Sequence, residues 1–296
     1  MAKSIGVAVT EHIALGVVEN GSVTGPVIRH PADTDDSDQL RATPADDLVR
    51  WLADEVKALA EGEPVEATGL ALPGIIRNGV IEDSPNLQQL KGFPMEAAIR
   101  NALAQRGIAA QVAVSNDADA VASGIASAHS QLDKLVRVWT LGNGIGFGRY
   151  PAADGVWEGG HTVVTLDPNE KFCACGGRGH LEGIMGNRAM RLRFLDLEPE
   201  EVFAAAKSGD DPRCSEFVLL WHRALAAATA SSIHMNGPGK FYITGLNARF
   251  LNLALLNRYT QEMVKLSPLQ GYVFEIIAHG DDLAIAGAVV NALQRS

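Results

Sequence analysis

The chain has 296 residues, 47% of them hydrophobic and 20% charged, with a net charge of −10. That length fits two domains, and that apolar fraction supplies packed cores, which excludes a disordered chain. The acidic balance argues against nucleic acid as a partner, and no apolar run reaches the roughly 18–20 residues that would imply a membrane span.

Ser4–Val9, Ile13–Val18 and Val23–Ile28 read as short strands, with Asn20-Gly21 marking a tight hairpin turn. Thr43-Pro44-Ala45-Asp46 is a helix start: a Thr cap, Pro at the first helical position and an acid in the first turn. Leu48, Leu52, Val56 and Leu59 recur at helical spacing until Gly62. Ala67–Leu72 is a buried-type strand ending in Pro73-Gly74. Pro94 opens a helix with Met95, Ile99 and Leu103 on one face, stopped by Gly107. Val112–Ser115 is the next strand, followed by an Ala-rich helix over Ala118–His129. Leu135–Leu141 and Gly146–Tyr150 form a hairpin, a glycine- and cysteine-rich excursion follows, and helices fill most of Gly183–Met235. Phe241–Thr244 and Val273–Ala278 are short strands before a closing helix, Asp281–Gln294.

The order β-β-β-α-β-α-β, followed by a remote second version of the same unit, resembles the plan of the actin-like ATPases and sugar kinases. The expected fold is therefore α/β and two-lobed, with duplicated ribonuclease H-like domains. Residues 1–117 with 281–296 are expected to form a small lobe, and 118–280 a larger one.

Cysteine usage singles out one segment. Three cysteines are too few for a secreted disulfide framework, and two of them fall in Cys173-Ala174-Cys175-Gly176-Gly177-Arg178-Gly179-His180-Leu181-Glu182. Zinc takes four N or S ligands in a tetrahedron, and a closed set of protein ligands makes such a site structural. Cys173, Cys175 and His180 lie on a glycine-rich loop able to wrap an ion, and His161 offers a fourth ligand from upstream. Two cysteines alone would read as incidental buried thiols; two histidines at this spacing turn the reading to zinc. Cys214 stands apart as a packing residue. With no signal-peptide pattern at Met1-Ala2-Lys3-Ser4, the expected compartment is the cytoplasm.

These motifs resemble the ROK family of repressors, open reading frames and kinases. Its pattern of Glu-x-Gly-His followed by Cys-x-Cys-Gly-x-x-Gly-Cys-x-Glu stands here as Glu158-Gly159-Gly160-His161 and the cysteine segment, with His180 at the third cysteine's place. The chain begins at the first core strand, as the kinase-type members do. The resemblance implies that Glu158, His161 and Glu182 bind sugar hydroxyls, with zinc orienting His161. Gly74 and Asn86, in Leu72-Pro73-Gly74 and Ser84-Pro85-Asn86-Leu87, are implied as lesser contacts.

Asn116-Asp117 ends a strand and precedes a helix, the usual position of α/β ligand sites. By itself the pair reads more often as a helix cap. It matches the family's Asn-Asp-Ala-Asn segment as Asn116-Asp117-Ala118-Asp119, which implies Asp117 as catalytic base and Asn116 as a sugar ligand. A carboxylate within reach of a sugar hydroxyl takes its proton as the O–P bond forms.

Two glycine-rich hairpins face the nucleotide phosphates in this superfamily. Thr140-Leu141-Gly142-Asn143-Gly144-Ile145-Gly146 matches the second, so Gly142, Asn143, Gly144 and Gly146 are candidate Mg-ATP contacts, with Gly245 of Thr244-Gly245-Leu246-Asn247 near the adenosine. The first hairpin departs. Where the family has Asp-x-Gly-Gly-Thr, this chain reads Ala8-Val9-Thr10-Glu11-His12. Glu11 there would repel phosphate, by roughly 4 kcal/mol for unit charges about 4 Å apart at an effective dielectric of about 20.

The leading expectation is a kinase acting on a hexose or N-acetylhexosamine monosaccharide with Mg-ATP and a structural zinc. The alternative is a non-catalytic sugar-binding sensor; a third is proton-transfer chemistry by Asp117 without a phosphate donor. The resemblance adds the expectation of a homodimer or homotetramer.

Overall fold

The protein is described by a computed structural model covering residues 2–10, 12–31, 37–152, 158–265 and 271–294. It forms two compact units: Met1–Val136 with Gly148–Val156 and Gly280–Ser296, and Arg137–Phe147 with Trp157–His279.

In the first unit, β1 (Lys3–Val9), β2 (Ile13–Glu19) and β3 (Ser22–His30) make an antiparallel meander. Asn20 and Gly21 both take positive φ, the backbone that an Asn-Gly hairpin turn demands. The chain continues through α1 (Ser37–Ala42), α2 (Ala45–Ala60), β4 (Val65–Leu72), the small hairpin β5 (Ile75–Arg77) and β6 (Val80–Asp83), α3 (Met95–Gln105), β7 (Gln111–Asn116) and α4 (Asp117–Ala128). The sheet order is β3-β2-β1-β4-β7, with β4 parallel to both β1 and β7.

The second unit starts with β8 (Val136–Leu141) and β9 (Ile145–Tyr150). It continues through α5 (Glu182–Met185), α6 (Asn187–Arg193), α7 (Pro199–Ser208), α8 (Pro212–Asn236), β10 (Lys240–Thr244), α9 (Leu253–Met263) and β11 (Val273–Ile276). Its sheet runs β11-β10-β8-β9, with β10 parallel to β8 and β11. Trp139, Leu141, Phe241 and Ile243 share a core with Trp221 and Leu225 of α8 and Leu256 and Tyr259 of α9. The chain leaves this unit within β9, at Phe147, and finally through α10 (Asp282–Gln294), which belongs to the first.

Period-two alternation explains why helices cover both faces of the first sheet. Ile5, Val7 and Val9 of β1 pack with Leu48, Leu52 and Val56 of α2 and Ile99 and Leu103 of α3. The opposite face is built from small residues: Ala8, Ala14 and Ala71 pack with Ala284, Ile285 and Ala288 of α10. A Cβ at Gly6 would fall 2.1 Å from the Ile285 carbonyl oxygen, and one at Gly69 2.0 Å from that of Ala288. α10 therefore lies directly on the strands.

This two-unit α/β architecture agrees with the reading of the sequence, but the expected boundary at 117/118 is displaced. α4 belongs to the first unit, which continues to Val136. The reason is its packing on α10. Gly287 brings that helix against the Ala120 carbonyl, and buried Ser123 donates to Asn291 Oδ1 at 2.7 Å. Asn291 in turn donates to Ser115 Oγ on β7 at 3.2 Å. α1, the β5–β6 hairpin and α9 were not anticipated. Among the described residues, no helix is long and apolar enough to cross a membrane.

Candidate functional site

The second unit carries the cysteine segment. Val163 and His180 form an antiparallel bridge, flanked by Val164 N–H to Gly179 O at 2.8 Å and Leu181 N–H to Thr162 O at 3.0 Å. This short ladder sets His161 beside His180, their rings stacked with centroids 5.2 Å apart. Arg193 braces the excursion through a forked ion pair to Glu170, whose carbonyl accepts Gly179 N–H at 2.7 Å.

His161, Cys173, Cys175 and His180 each offer a ligand atom, all within 4.8 Å of one another. Cys175 Sγ lies 3.3 Å from Cys173 Sγ and 3.2 Å from His180 Nδ1. Tetrahedral zinc, with bonds of about 2.0–2.3 Å, needs donor separations of this order. Two thiols and two imidazoles therefore form a closed set that could hold a divalent metal.

Their electrostatics fit that role. Cys173, then Glu182, stabilise the imidazolium of His161 and push it up to about 11. Burial pushes the Cys173 thiol up, but His161, His180 and Cys175 outweigh it and bring the thiol down to about 7. A thiolate–imidazolium pair gives up its proton when a cation binds.

Glu182, at the start of α5, joins this cluster to the glycine hairpin. Its Oε2 accepts Ile145 N–H at 3.0 Å, while Oε1 lies 3.9 Å from both His161 Nε2 and Cys173 Sγ. Burial raises its carboxyl, but His161 and the Ile145 amide hold it below the ordinary carboxylate range. Glu158 is more exposed, its Oε2 3.9 Å from His161 Nδ1.

The turn between β8 and β9 is closed by Gly142 N–H to Gly144 O at 3.1 Å, with Asn143 and Gly144 exposed and Gly146 partly buried. Two buried side chains that the sequence reading missed support it. Asn247 donates to Gly142 O at 3.3 Å and to Asn187 Oδ1 at 2.6 Å, and Asn187 donates to Asn143 Oδ1 at 3.2 Å. Buried amides with this many partners are held in one orientation. Gly245, at φ 101°, approaches so closely that a Cβ would fall 2.3 Å from the Leu141 carbonyl oxygen.

The first unit carries the Asn116-Asp117 segment at the junction of β7 and α4. Asn116 is the N-cap, accepting Ala118 N–H at 2.9 Å and Asp119 N–H at 3.3 Å, while its amide donates to Gly74 O at 3.0 Å. Asn116 and Gly74 are thus brought together. Asn86 stands on an exposed turn after β6. Asp117 opens the helix partly buried, with Oδ1 accepting Ala118 N–H at 2.9 Å. Burial raises the neighbouring Asp119 carboxyl to about 6, although the Arg149 N–H and guanidinium act against the rise.

The β1–β2 turn is of a different kind. Val9 pairs with Ile13, and Thr10 N–H bonds His12 O at 2.9 Å, so Thr10–His12 span the whole connection. Ala8 is buried against α10. His12 Nε2 lies 3.2 Å from the Asp281 carboxylate, which also accepts Arg29 Nε–H at 3.1 Å. The His12 bond, then Arg29, lower the Asp281 carboxyl against the effect of burial. Glu11, expected to oppose phosphate here, lies outside the described residues.

Comparison with known proteins gives this arrangement a context. The chain is 30% identical to a glucokinase of Thermotoga maritima, over 77% of this chain and 76% of that protein. It is 26% identical to an N-acetylmannosamine kinase of Haemophilus influenzae, over 93% of this chain and 90% of that protein. A ROK hexokinase from Thermus thermophilus superposes with a TM-score of 0.76 at 24% identity, covering 99% of this chain and 98% of that one. The ROK family's sequence profile matches residues 24–295. With that match spanning nearly the whole chain, this protein belongs to the ROK family.

Proposed function

We propose that this protein is a sugar kinase that transfers a phosphoryl group from Mg-ATP to a hydroxyl of a hexose or N-acetylhexosamine. The observation that carries the reading is the convergence of His161, Cys173, Cys175 and His180 within 4.8 Å, with Glu182 held against two of them. Such a cluster fixes the sugar-binding candidates Glu158, His161 and Glu182 before substrate arrives, and positioning supplies much of the catalysis in phosphoryl transfer.

In this reading Asn116 is a sugar ligand and Asp117 the base. Asp117 accepts the hydroxyl proton as the sugar oxygen bonds to the γ-phosphorus and the bond to the bridging oxygen of ADP breaks. Asn116 keeps the base turn in place through its bonds to Ala118 and Gly74. The exposed Gly142–Gly144 turn receives donor phosphates, and Gly245 lines the adenosine side. His161, Cys173, Cys175 and His180 would hold zinc, which when bound supplies rigidity to the loop.

The His12–Asp281–Arg29 cluster favours a second reading, a sugar sensor without donor chemistry, because it draws the first turn's side chain into a hydrogen-bonded cluster. Sugar-dependent ADP release across glucose, mannose, N-acetylglucosamine and N-acetylmannosamine separates the two. The kinase reading expects ADP with at least one sugar and none in Asp117→Asn. Calorimetric sugar binding without ADP from any of them would favour the sensor.

A further inference from the structure

Asp119 lies in the first turn of α4, two residues after the proposed base. Its side chain turns toward β9. Asp119 Oδ1 accepts Arg149 N–H at 2.9 Å, while its own N–H bonds the Asn116 cap at 3.3 Å and its carbonyl accepts Ser123 Oγ–H at 3.0 Å. The strand comes this close because of Gly148. A Cβ there would fall 1.8 Å from the Ala118 carbonyl oxygen, so the strand backbone lies directly on the first turn of α4. Asp117 belongs to that same turn.

We infer that Asp119 is a positioning residue for the base: by bonding the Arg149 amide it ties the first turn of α4 to β9 and fixes the direction in which Asp117 presents its carboxylate. This rests on the kinase reading above. Residues two apart on a helix do not face one another, so Asp119 acts through the backbone and not by touching Asp117. Cap and tie hold the turn from two sides: Asn116 anchors it to the backbone at Gly74, and Asp119 anchors it to the backbone at Arg149. A main-chain N–H is satisfied equally by a carboxylate oxygen or an amide oxygen of the same reach. Asparagine at 119 therefore keeps the tie without the charge, and alanine removes it.

The test compares Asp119→Ala and Asp119→Asn in the full-length, metal-loaded protein. Small misplacements of reacting groups cost catalysis more than binding, so Asp119→Ala should lower kcat by about tenfold or more with sugar KM within about twofold. Asp119→Asn should restore kcat to within about threefold of the wild type. Hydrogen exchange at the Arg149 amide gives a readout independent of turnover: protection should fall in the alanine variant and persist in the asparagine variant. An alanine variant with wild-type kcat, or an asparagine variant as impaired as alanine, overturns the inference. A wild type that releases no ADP with any sugar sinks the kinase reading and with it a positioning role for the base. Unchanged Arg149 protection in Asp119→Ala sinks the tie alone.

Discussion

The two hairpin turns that open the two sheets have parted ways. Around the β8–β9 turn, side chains from elsewhere in its unit are spent on holding the backbone. Asn247 reaches Gly142, Asn187 reaches Asn143, and Glu182 takes the Ile145 amide, which leaves Asn143 and Gly144 exposed. At the β1–β2 turn the arrangement is reversed. The turn's own His12 is drawn into a cluster with Asp281 and Arg29, and Ala8 is absorbed into the alanine-rich core. One turn is scaffolded and open; the other is latched. The difference teaches that residues flanking a turn can be held by the core where the turn departs from the expected phosphate pattern, and on the proposed reading the donor phosphates rely on the second turn.

The largest expected effect asks whether the open turn serves a reaction at all. Asp117→Asn removes the proposed base and should lower kcat by about 10²–10⁴-fold. Sugar affinity measured by calorimetry should stay within a few-fold, since neither turn is touched. Stripping the proposed zinc comes next. Structural zinc contributes folding free energy directly, so chelation should lower the melting temperature and abolish stabilisation by sugar, and zinc should restore both. Stabilisation by sugar that survives chelation would uncouple Glu182 from the cluster.

The contrast between the turns is sharpened most by paired variants. Asn247→Ala removes bonds to Gly142 and Asn187 in a buried site. It should cost about 1–3 kcal/mol of stability and raise the KM for ATP several-fold. His12→Ala should leave the ATP KM nearly unchanged, and a large rise there would return the first turn to the phosphate site. The smallest effect concerns the latch. Asp281 has a folded pKa below its unfolded value, so its stabilisation is present above the ordinary carboxylate range and is lost as pH falls through the folded value. Denaturant melts of Asp281→Asn should show reduced stability at neutral pH, with the gap to the wild type closing in acid.

Most of this architecture could be read from the chain because its signals are local. The apolar runs of β1 and β4, the Asn-Gly turn and the prolines just ahead of α2 and α3 all declare themselves within a few residues, although Thr43 bonds the Gln39 carbonyl and does not cap α2. The four metal-binding candidates were legible too, since Cys173, Cys175 and His180 share one loop and only His161 comes from outside it. What escaped depends on distant partners. The unit boundary follows from α4 packing on α10, and His12 and Asp281 stand 269 residues apart. Asn187 and Asn247 look like ordinary polar residues until their burial is seen. α9 was missed for another reason: the run Leu253-Ala254-Leu255-Leu256 blurs the helical period that Leu256, Tyr259 and Thr260 display once buried.

The most direct test measures zinc content and sugar-dependent ADP release on the same preparation. The account predicts about one zinc per chain, and ADP formation that follows the zinc content as metal is removed and restored. A metal-free protein that phosphorylates sugar at full rate would contradict it, as would a zinc-loaded protein that binds sugar and releases no ADP.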